Sequence, residues 1–294
     1  MLFLPKFEYY EPGSMGAACT LLNRIKTDGK IIAGGTDVLV NLKEGRIQAG
    51  HLISVARING LSGIEKKGTK VVIGSHTLVA EIAKSKLIKD QFSVLAKAAS
   101  KLGSPLIRNR ATIGGNIVTA RPAADLIPPL MALGATIELK SKEGTRTLHL
   151  EEFLVGPGQT TINPNEILTK IIIPEAKPFS GGDYLKLGHR KSLEIAIVAV
   201  AAVITLTKAD GTIKEAKIIL SAVAPKAIHA FSAEKKLIGA RPSLELFEVA
   251  ALRAMSDCSP INDIRGGSEY RKDMVKTLTE RTLVNALNAA RGDR

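Results

Sequence analysis

Two of the Gly-Gly pairs in this chain, each beside polar side chains, place the strongest constraint on what it can fold into. Gly34-Gly35 follows the apolar run Ile31–Ala33, and Gly114-Gly115 lies between Thr112 and Asn116. Glycine lets a backbone turn sharply and approach a ligand without a Cβ in the way, and successive N–H groups in such a turn can bind an anion. One such pair is more often only a turn. Two pairs in one domain fit an extended ligand with two phosphates better than either pair does alone.

Polar residues beside the two pairs add candidate contacts to such a ligand. Lys30 and Thr36 could supply a charge and a hydroxyl donor at the first pair, and Arg108 and Thr119 flank the second. Asp125 either interacts favourably with the dipole of a helix that begins there or accepts hydrogen bonds from ribose hydroxyls. Neither pair belongs to a G-x-G-x-x-G or G-x-x-x-x-G-K-S/T motif, so a Rossmann site and a P-loop are not indicated. The residues alone therefore predict an extended phosphate ligand of unspecified identity.

Composition excludes several other classes of function. The 294 residues carry a formal net charge of +13 without a long basic run, and the chain has no Trp. This favours a solvated basic surface or a basic phosphate pocket over a nucleic-acid surface. Cys19 and Cys258 are the only cysteines, and the five histidines lack metal-ligand spacing, so no iron–sulfur cluster or metal site is expected on this chain. The sequence lacks signal-peptide features and an apolar run long enough to span a membrane, which predicts a cytoplasmic protein.

The hydrophobic pattern predicts a chain that mixes helices and strands. A helix is expected from Ser14 to Gly29, followed by a strand over Lys30–Ala33. A long polar loop is expected over Gly103–Asn116 and a helix over Ala124–Leu133. Further strands are predicted at 51–55, 70–74, 136–140, 166–173, 196–207 and 212–223, and further helices at 78–84, 92–102, 233–238, 244–255 and 270–290. The Pro- and Gly-rich segment 174–182 is the best candidate linker.

Motifs spread over nearly the whole chain resemble one known family. They occur in order, and together they are far more specific than any one of them. The sequence is similar to the FAD-binding medium subunits of molybdenum hydroxylases, which include carbon monoxide dehydrogenase, nicotinate dehydrogenase and the flavin domain of xanthine dehydrogenase. The motifs are Ala33-Gly34-Gly35-Thr36-Asp37, Ile107-Arg108-Asn109 with Ala111-Thr112-Ile113-Gly114-Gly115-Asn116, Pro122-Ala123-Ala124-Asp125-Leu126, Tyr184-Leu185-Lys186 with Arg190, and Asp263-Ile264-Arg265-Gly266 with Tyr270-Arg271.

The resemblance implies an α+β fold of the vanillyl-alcohol oxidase (PCMH) type with an added domain. Residues 1–176 would form the FAD-binding domain, as two α/β subdomains of about residues 1–58 and 59–176 that clamp the cofactor. Residues 177–294 would form a C-terminal α/β domain of the carbon monoxide dehydrogenase flavoprotein type.

The resemblance also implies a set of residues that bind FAD without a covalent link. Residues 30–38 would surround the pyrophosphate, and residues 112–116 would meet it from the second subdomain. Thr119 and Asp125 would face the ribose or ribityl region, and Lys186 would lie near the adenine or flavin ring, as would Ile167 or Leu168. The full predicted set is Lys30, Ile31, Ile32, Ala33, Gly34, Gly35, Thr36, Asp37, Val38, Leu102, Ala111, Thr112, Ile113, Gly114, Gly115, Asn116, Thr119, Asp125, Ile167, Leu168 and Lys186; no catalytic residue is predicted.

The family's division of labour implies partner subunits. A large subunit would hold the molybdenum cofactor, and a small one would hold two two-iron, two-sulfur clusters, in a heterotrimer or its dimer. Electrons would reach the FAD of this chain and leave to NAD, a quinone or another acceptor. The lack of cluster cysteines excludes the 4-hydroxybenzoyl-CoA reductase branch. Thr36-Asp37 replaces the His-Ser usual in carbon monoxide dehydrogenases, which argues against carbon monoxide as the substrate.

Two other functions are compatible with parts of the sequence. A stand-alone flavin oxidoreductase of the same fold would have the same cofactor residues and no partners. A non-enzymatic nucleic-acid-binding protein is suggested only by the net charge of +13. Bound flavin would argue strongly against the second of these functions.

Overall fold

The computed structural model describes residues 3–190 and 192–292, which form three sheets of three or more strands and one two-stranded ribbon. The first of these, the N-terminal sheet, is parallel and has the strand order β1-β3-β2. Its elements are β1 (Glu8–Tyr10), α1 (Met15–Ile25), β2 (Gly29–Ile32), α2 (Val38–Lys43) and β3 (His51–Ser54).

Helix α1 shows how a local signal sets one end of an element and not the other. The Ser14 side chain accepts a hydrogen bond from the Ala17 N–H at 3.2 Å, so the predicted N-cap is confirmed. The predicted end at Gly29 is wrong, because the helix stops at Ile25 where Lys26 adopts a positive φ of 58°. A short 3-10 turn follows, and Gly29 already belongs to strand β2.

The middle sheet is antiparallel and has the strand order β4-β5-β10-β6-β7. Most of the helices near the Gly-Gly pairs lie between the strands of this sheet in the chain. Its strands are β4 (Ile64–Lys67), β5 (Lys70–Gly74), β6 (Thr136–Lys140), β7 (Thr145–His149) and β10 (Ile167–Pro174), with the ribbon β8 (Leu154–Gly156) and β9 (Gln159–Thr160). The helices are α3 (Val79–Lys84), α4 (Lys86–Gln91), α5 (Ser93–Lys101), α6 (Pro105–Arg108), α7 (Ile113–Thr119), α8 (Ile127–Ala132) and α9 (Leu150–Phe153).

The segment predicted as one long loop, Gly103–Asn116, instead contains helix α6 and the start of helix α7. Pro105 occupies the first turn of α6, where a missing N–H costs little. The second Gly-Gly pair lies inside α7, although glycine is a poor helix former. Packing decides the outcome, since a Cβ at Gly114 would lie 2.7 Å from the Ser75 carbonyl oxygen.

The helix predicted from Ala124 begins later, at Ile127. A helix from Ala124 would place Pro129 in its interior, where the ring collides with the carbonyl four residues earlier. Starting at Ile127 puts both Pro128 and Pro129 within the first turn. Asp125 therefore precedes the helix by two residues and provides no side-chain cap to it.

The C-terminal sheet is antiparallel, with the order β11-β12-β13-β14, and three helices follow it in sequence. The elements are β11 (Ser180–Leu187), β12 (Val198–Leu206), β13 (Ile213–Ser221), β14 (Ile228–His229), α10 (Phe231–Leu237), α11 (Leu244–Asp257) and α12 (Ser268–Arg291). The predicted linker is thus too long, because Ser180–Gly182 begins β11. Glycine is required at position 181, where a Cβ would lie 2.1 Å from the Ala290 backbone nitrogen.

Both faces of the C-terminal sheet are buried. Alternate residues of β12, such as Val198 and Val200, pack with the helices α10–α12. The intervening Ala199 and Ala201, together with Tyr184 of β11, pack into the core of the middle sheet. An extensive apolar interface of this kind favours a fixed arrangement of the two sheets. The division of the chain at residues 58 and 176 stays a prediction.

Candidate cofactor-binding cleft

The first Gly-Gly pair forms a turn packed tightly against the second loop. A Cβ at Gly34 would lie 1.9 Å from the Arg110 carbonyl oxygen, so only glycine permits this approach. Gly35 has φ +75°, a conformation that L side chains rarely adopt. In the described part of the chain, the N–H groups of Gly34, Gly35 and Thr36 donate to no protein acceptor. Unpaired N–H groups in one turn can bind an anion.

The second Gly-Gly pair is held differently, by hydrogen bonds at the start of helix α7. The Ile113 and Gly114 N–H groups donate to the carbonyls of Thr77 and Ser75 at 3.1 and 2.8 Å. The Thr112 hydroxyl accepts from the Gly115 N–H at 3.1 Å. These N–H groups are therefore already hydrogen-bonded within the protein. A ligand would instead contact the backbone of the two glycines, which has no side chains to block its approach. A Cβ at Gly115 would contact only the Thr112 hydroxyl, at 3.0 Å.

A cavity of about 880 Å³ lies between the two Gly-Gly pairs and is called here the main cavity. Its volume is near the upper end of ordinary small-molecule sites. Most of the predicted cofactor residues line it, which brings two sequence-distant motifs to one site. These residues are Ile31, Ala33, Gly34, Gly35, Thr36, Asp37, Val38, Leu102, Ala111, Thr112, Gly114, Gly115, Asn116, Thr119, Ile167 and Leu168.

Five predicted residues do not line the main cavity. Lys30 is exposed on β2, and Ile32 packs beside the small core around Leu52 on the N-terminal sheet. Ile113 is fully buried in the core of the middle sheet. The other two, Asp125 and Lys186, contact each other. The predicted charge contribution of Lys30 is thus not directed into the main cavity.

A second cavity of about 710 Å³ adjoins the main one. The two share a wall formed by Thr36, Asp37, Asn116, Thr119, Ile195 and Arg265. Asp125 lines the second cavity beside Asn116 and Thr119. The two adjoining cavities could together hold a long ligand, with its phosphates near the Gly-Gly pairs and a ring system further along.

Asp125 and Lys186 form a buried ion pair that links distant parts of the chain. The Lys186 ammonium donates to Asp125 Oδ2 at 2.8 Å, and the Tyr184 hydroxyl donates to Asp125 Oδ1 at 2.7 Å. The side chains of Asp125 and Lys186 are each 8% exposed. Burial raises the pKa of Asp125 above its ordinary value, while Lys186 and Tyr184 act in the opposite direction. Burial beside Asp125 also raises the pKa of Tyr184 well above its ordinary value, so the tyrosine stays a donor.

The C-terminal part of the chain supplies residues of the main cavity that were absent from the predicted set. They come from the segment after β11 and from the turn before α12, namely His189, Arg190, Leu193, Glu194, Ile195, Ile264 and Arg265. Arg190 and the run Asp263–Gly266 belong to the family motifs, and that signal could have identified this wall. Val55, Ser75, Gly103, Ile107, Val118 and Ile162 complete the lining, and of these only Ile107 belongs to a family motif.

Cationic side chains contribute less to the main cavity than the basic composition suggests. Arg108 donates to the Leu102 carbonyl at 2.8 Å and does not line the cavity. Of the arginines that do line it, Arg190 pairs with Glu194 and Arg265 pairs with Asp263. A phosphate ligand would therefore depend mainly on backbone N–H groups.

Comparison with known proteins agrees with this geometry. A family model described as the FAD binding domain in molybdopterin dehydrogenase matches residues 5–176, and one described as the CO dehydrogenase flavoprotein C-terminal domain matches residues 183–286. The carbon monoxide dehydrogenase medium chain of Hydrogenophaga pseudoflava is 34% identical over 286 residues, which cover 97% of each chain. The nicotinate dehydrogenase FAD-subunit of Eubacterium barkeri is 29% identical, over 97% of this chain and 98% of the relative.

Solved structures show the same architecture. Carbon monoxide dehydrogenase from Hydrogenophaga pseudoflava matches with a TM-score of 0.93 at 33% identity, over 97% of this chain and 98% of the other. Quinoline 2-oxidoreductase from Pseudomonas putida 86 matches with a TM-score of 0.92 at 25% identity, over 98% and 99%. The fold and the cleft define an FAD-binding oxidoreductase subunit. The chain belongs to the family of FAD-binding subunits of molybdopterin dehydrogenases, which confirms the predicted α+β fold and the predicted FAD cofactor.

No helix among residues 3–190 and 192–292 is long and apolar enough to cross a membrane. The same residues contain no group of three or more His, Cys, Asp or Glu side chains placed to hold a metal ion.

Proposed function

We propose that this chain is the flavin subunit of a cytoplasmic molybdenum enzyme made of three kinds of subunit. The large partner holds the molybdenum cofactor and oxidises the substrate, and the small partner holds two two-iron, two-sulfur clusters. FAD supplies the redox chemistry on this chain, passing electrons from the clusters to an external acceptor. The observation that supports this best is the pairing of the two Gly-Gly motifs across one cavity, in a chain with this family membership.

The residues of the cleft have separate tasks in this proposal. The N–H groups of Gly34, Gly35 and Thr36 bind the pyrophosphate, because they donate to no acceptor among the described residues. The Asn116 amide oxygen accepts from the Leu126 N–H at 3.2 Å, which fixes the side chain and leaves its NH₂ group available to the ligand. The Thr119 hydroxyl donates to the Gly115 carbonyl at 2.7 Å, so its oxygen can still accept.

The apolar wall and the buried ion pair complete the cofactor site. Leu102, Ile167 and Leu168 pack against the ring systems, since all three line the main cavity. Asp125 accepts hydrogen bonds from ribose or ribityl hydroxyls through the second cavity, which it lines. Lys186 places a positive charge behind Asp125 at 2.8 Å.

The rim of the cleft supports the assignment of partner subunits. Ile264 is 98% exposed, and Leu193 and Ile195 are also exposed at the same opening. Exposed apolar side chains grouped beside a site often mark a surface that another protein covers. A partner seated here would lie next to the cofactor, as electron transfer requires.

We expect purified protein to carry about one FAD per chain, released intact by acid precipitation. Both cysteines are buried and neither lines the main cavity, so a cysteinyl link to the flavin is not expected. The measurement is an absorbance spectrum of the native protein, followed by identification of the flavin in the acid supernatant. A colourless protein that does not bind added FAD would contradict the proposed cofactor. Flavin retained in the acid pellet would instead indicate a covalent link, with His189 as the histidine in the cavity lining.

We expect the isolated chain to oxidise no aldehyde, purine or carbon monoxide, because the partners supply the metal centres. A slow transfer of electrons from NADH to a dye is still expected through the bound flavin. The assay compares these substrates, with metal analysis of the same sample and with the complete complex as the positive control. Turnover of a hydroxylase substrate by metal-free protein would overturn the subunit assignment and favour a stand-alone oxidoreductase.

A further inference from the structure

Strand β11 lies at the interface between the middle and C-terminal sheets, and its side chains contact residues on both sides of that interface. Its Asp183 pairs with Lys97 of α5 at 2.5 Å and accepts from the Asn285 amide of α12 at 2.7 Å. The next residue, Tyr184, is only 1% exposed and belongs to the apolar core of the middle sheet. Its hydroxyl donates to Asp125 Oδ1 at 2.7 Å, in a bond that is itself buried. A buried tyrosine of the C-terminal sheet thus holds a carboxylate that lines the cleft.

We propose that Tyr184 is a positioning residue for the cofactor site. Its hydroxyl keeps the Asp125 carboxylate ionised and fixed in orientation, so that Asp125 presents an acceptor to the cofactor while Lys186 stays paired behind it. This inference rests on the cofactor role proposed above for Asp125. It adds a residue that does not line either cavity and that none of the cofactor assignments includes.

Each carboxylate oxygen of Asp125 accepts a hydrogen bond from one residue of β11, and Tyr184 is the donor to one of the two oxygens. Oδ1 is bound by Tyr184 and Oδ2 by Lys186, and the Lys186 ammonium is also 3.4 Å from the Lys101 carbonyl oxygen at the end of α5. A buried carboxylate without enough donors protonates instead of staying charged. Removing the tyrosine hydroxyl would leave Lys186 as the only direct partner of Asp125 among the described residues.

The other charged groups around the second cavity do not replace Tyr184. Arg265 and Arg271 line that cavity, but both are paired with Asp263, at 3.0 and 2.6 Å. Arg271 is buried and also donates to the carbonyls of Ile197 and Ala222. Arg121 donates to the Asn41 amide oxygen at 3.1 Å. Asp37 lies in the wall that the two cavities share, and Arg46 of the second cavity is paired with Glu44.

The test is a double-mutant cycle with Tyr184→Phe, Asp125→Asn and the variant that carries both changes. The dissociation constant for FAD is measured by titration into apo protein between about pH 5 and pH 8, and thermal unfolding of each apo variant shows that it is folded. Tyr9→Phe is the matched control, because it removes an exposed hydroxyl that donates to Glu11 at 2.9 Å.

We expect Tyr184→Phe to weaken FAD binding about tenfold at neutral pH, the usual scale for one hydrogen bond to a charged group. The pKa of Asp125 should rise further, and affinity is lost as the pH falls through that pKa. The variant should therefore lose affinity at a higher pH than the wild type. In the Asp125→Asn background the same change should have little additional effect.

The outcomes separate this inference from the proposed function. If Asp125→Asn weakens binding and Tyr184→Phe matches the Tyr9→Phe control, the cofactor role of Asp125 stands and the positioning role of Tyr184 is refuted. If Asp125→Asn itself is without effect on FAD affinity, the proposed cofactor role of Asp125 fails, and the inference fails with it. Additive losses of FAD affinity in the double variant would show that Tyr184 acts independently of Asp125, which would also refute the inference.

Discussion

Replacing Gly115 by valine is expected to weaken FAD binding about a hundredfold without unfolding the protein, which corresponds to about 2.8 kcal/mol. The added Cβ meets only the Thr112 hydroxyl, at 3.0 Å, so a shift of a few tenths of an ångström in Thr112 accommodates it. Valine is also a better helix former than glycine. The rest of the side chain would extend from a wall of the main cavity into the space proposed for the cofactor. Titration of FAD into apo protein measures the loss in affinity, and urea unfolding measures stability.

Two other glycines provide the controls for this prediction. Gly16→Val adds the same side chain to helix α1, where a Cβ has nothing within 4 Å, and it should leave FAD affinity unchanged. Gly34→Ala puts a Cβ 1.9 Å from the Arg110 carbonyl oxygen, so it should reduce folding and FAD binding together. If Gly115→Val retains flavin in proportion to its folded fraction, the second Gly-Gly pair only shapes the start of α7 and does not contact FAD.

Asp125→Ala is expected to reduce both the stability of the apo protein and its affinity for FAD. Removing this carboxylate leaves the Lys186 ammonium, 8% exposed, without its ion-pair partner. Breaking a buried pair in this way costs about 3–5 kcal/mol. Loss of the carboxylate that we propose accepts from cofactor hydroxyls should weaken FAD binding by about ten- to a hundredfold, from about 1.5–3 kcal/mol per bond. Urea unfolding of the apo protein and FAD titration measure the two effects separately.

A second substitution in the same pair distinguishes the two effects of Asp125→Ala. Adding Lys186→Met removes the unpaired buried charge, so the double variant should recover much of the lost stability. Its FAD affinity should remain low, because methionine cannot replace the carboxylate. Recovery of wild-type affinity together with stability would show that Asp125 has only a structural role.

Local sequence signals identified much of the fold and one side of the cleft. The Ser14 cap and the apolar spacing after it were sufficient to place the start of α1. Strands such as Lys70–Gly74 and Thr136–Lys140 were located because their patterns are short-range. The family motifs, read as a resemblance, gave the fold class and FAD. The residues in those motifs predict a cofactor site whose individual contacts the titrations above would test.

Other predictions of secondary structure from local sequence failed, because contacts between distant segments override the conformational propensity of the local residues. A Gly-Gly pair reads as a loop, yet Gly114 lies in helix α7 because the Ser75 carbonyl occupies the space a side chain would need. The end of α1 is set by the positive φ of Lys26 and not by the nearby Gly29. Hydrophobic periodicity indicates only which face of an element is buried. It therefore cannot predict where a residue must fit closely against the backbone of a distant segment.

The sequence by itself determined the chemistry available at the cleft, namely two glycine pairs with hydroxyl and amide groups beside them. Only the tertiary structure decided which distant residues share that site. Asp125 and Tyr184 are 59 positions apart in the sequence, and their hydrogen bond joins the middle sheet to the C-terminal sheet. The rim residues Leu193 and Ile264 reach the same cavity from two further segments. The physical reason is that both faces of the C-terminal sheet are buried, and the face toward the middle sheet brings β11 and its charged side chains against the proposed cofactor region.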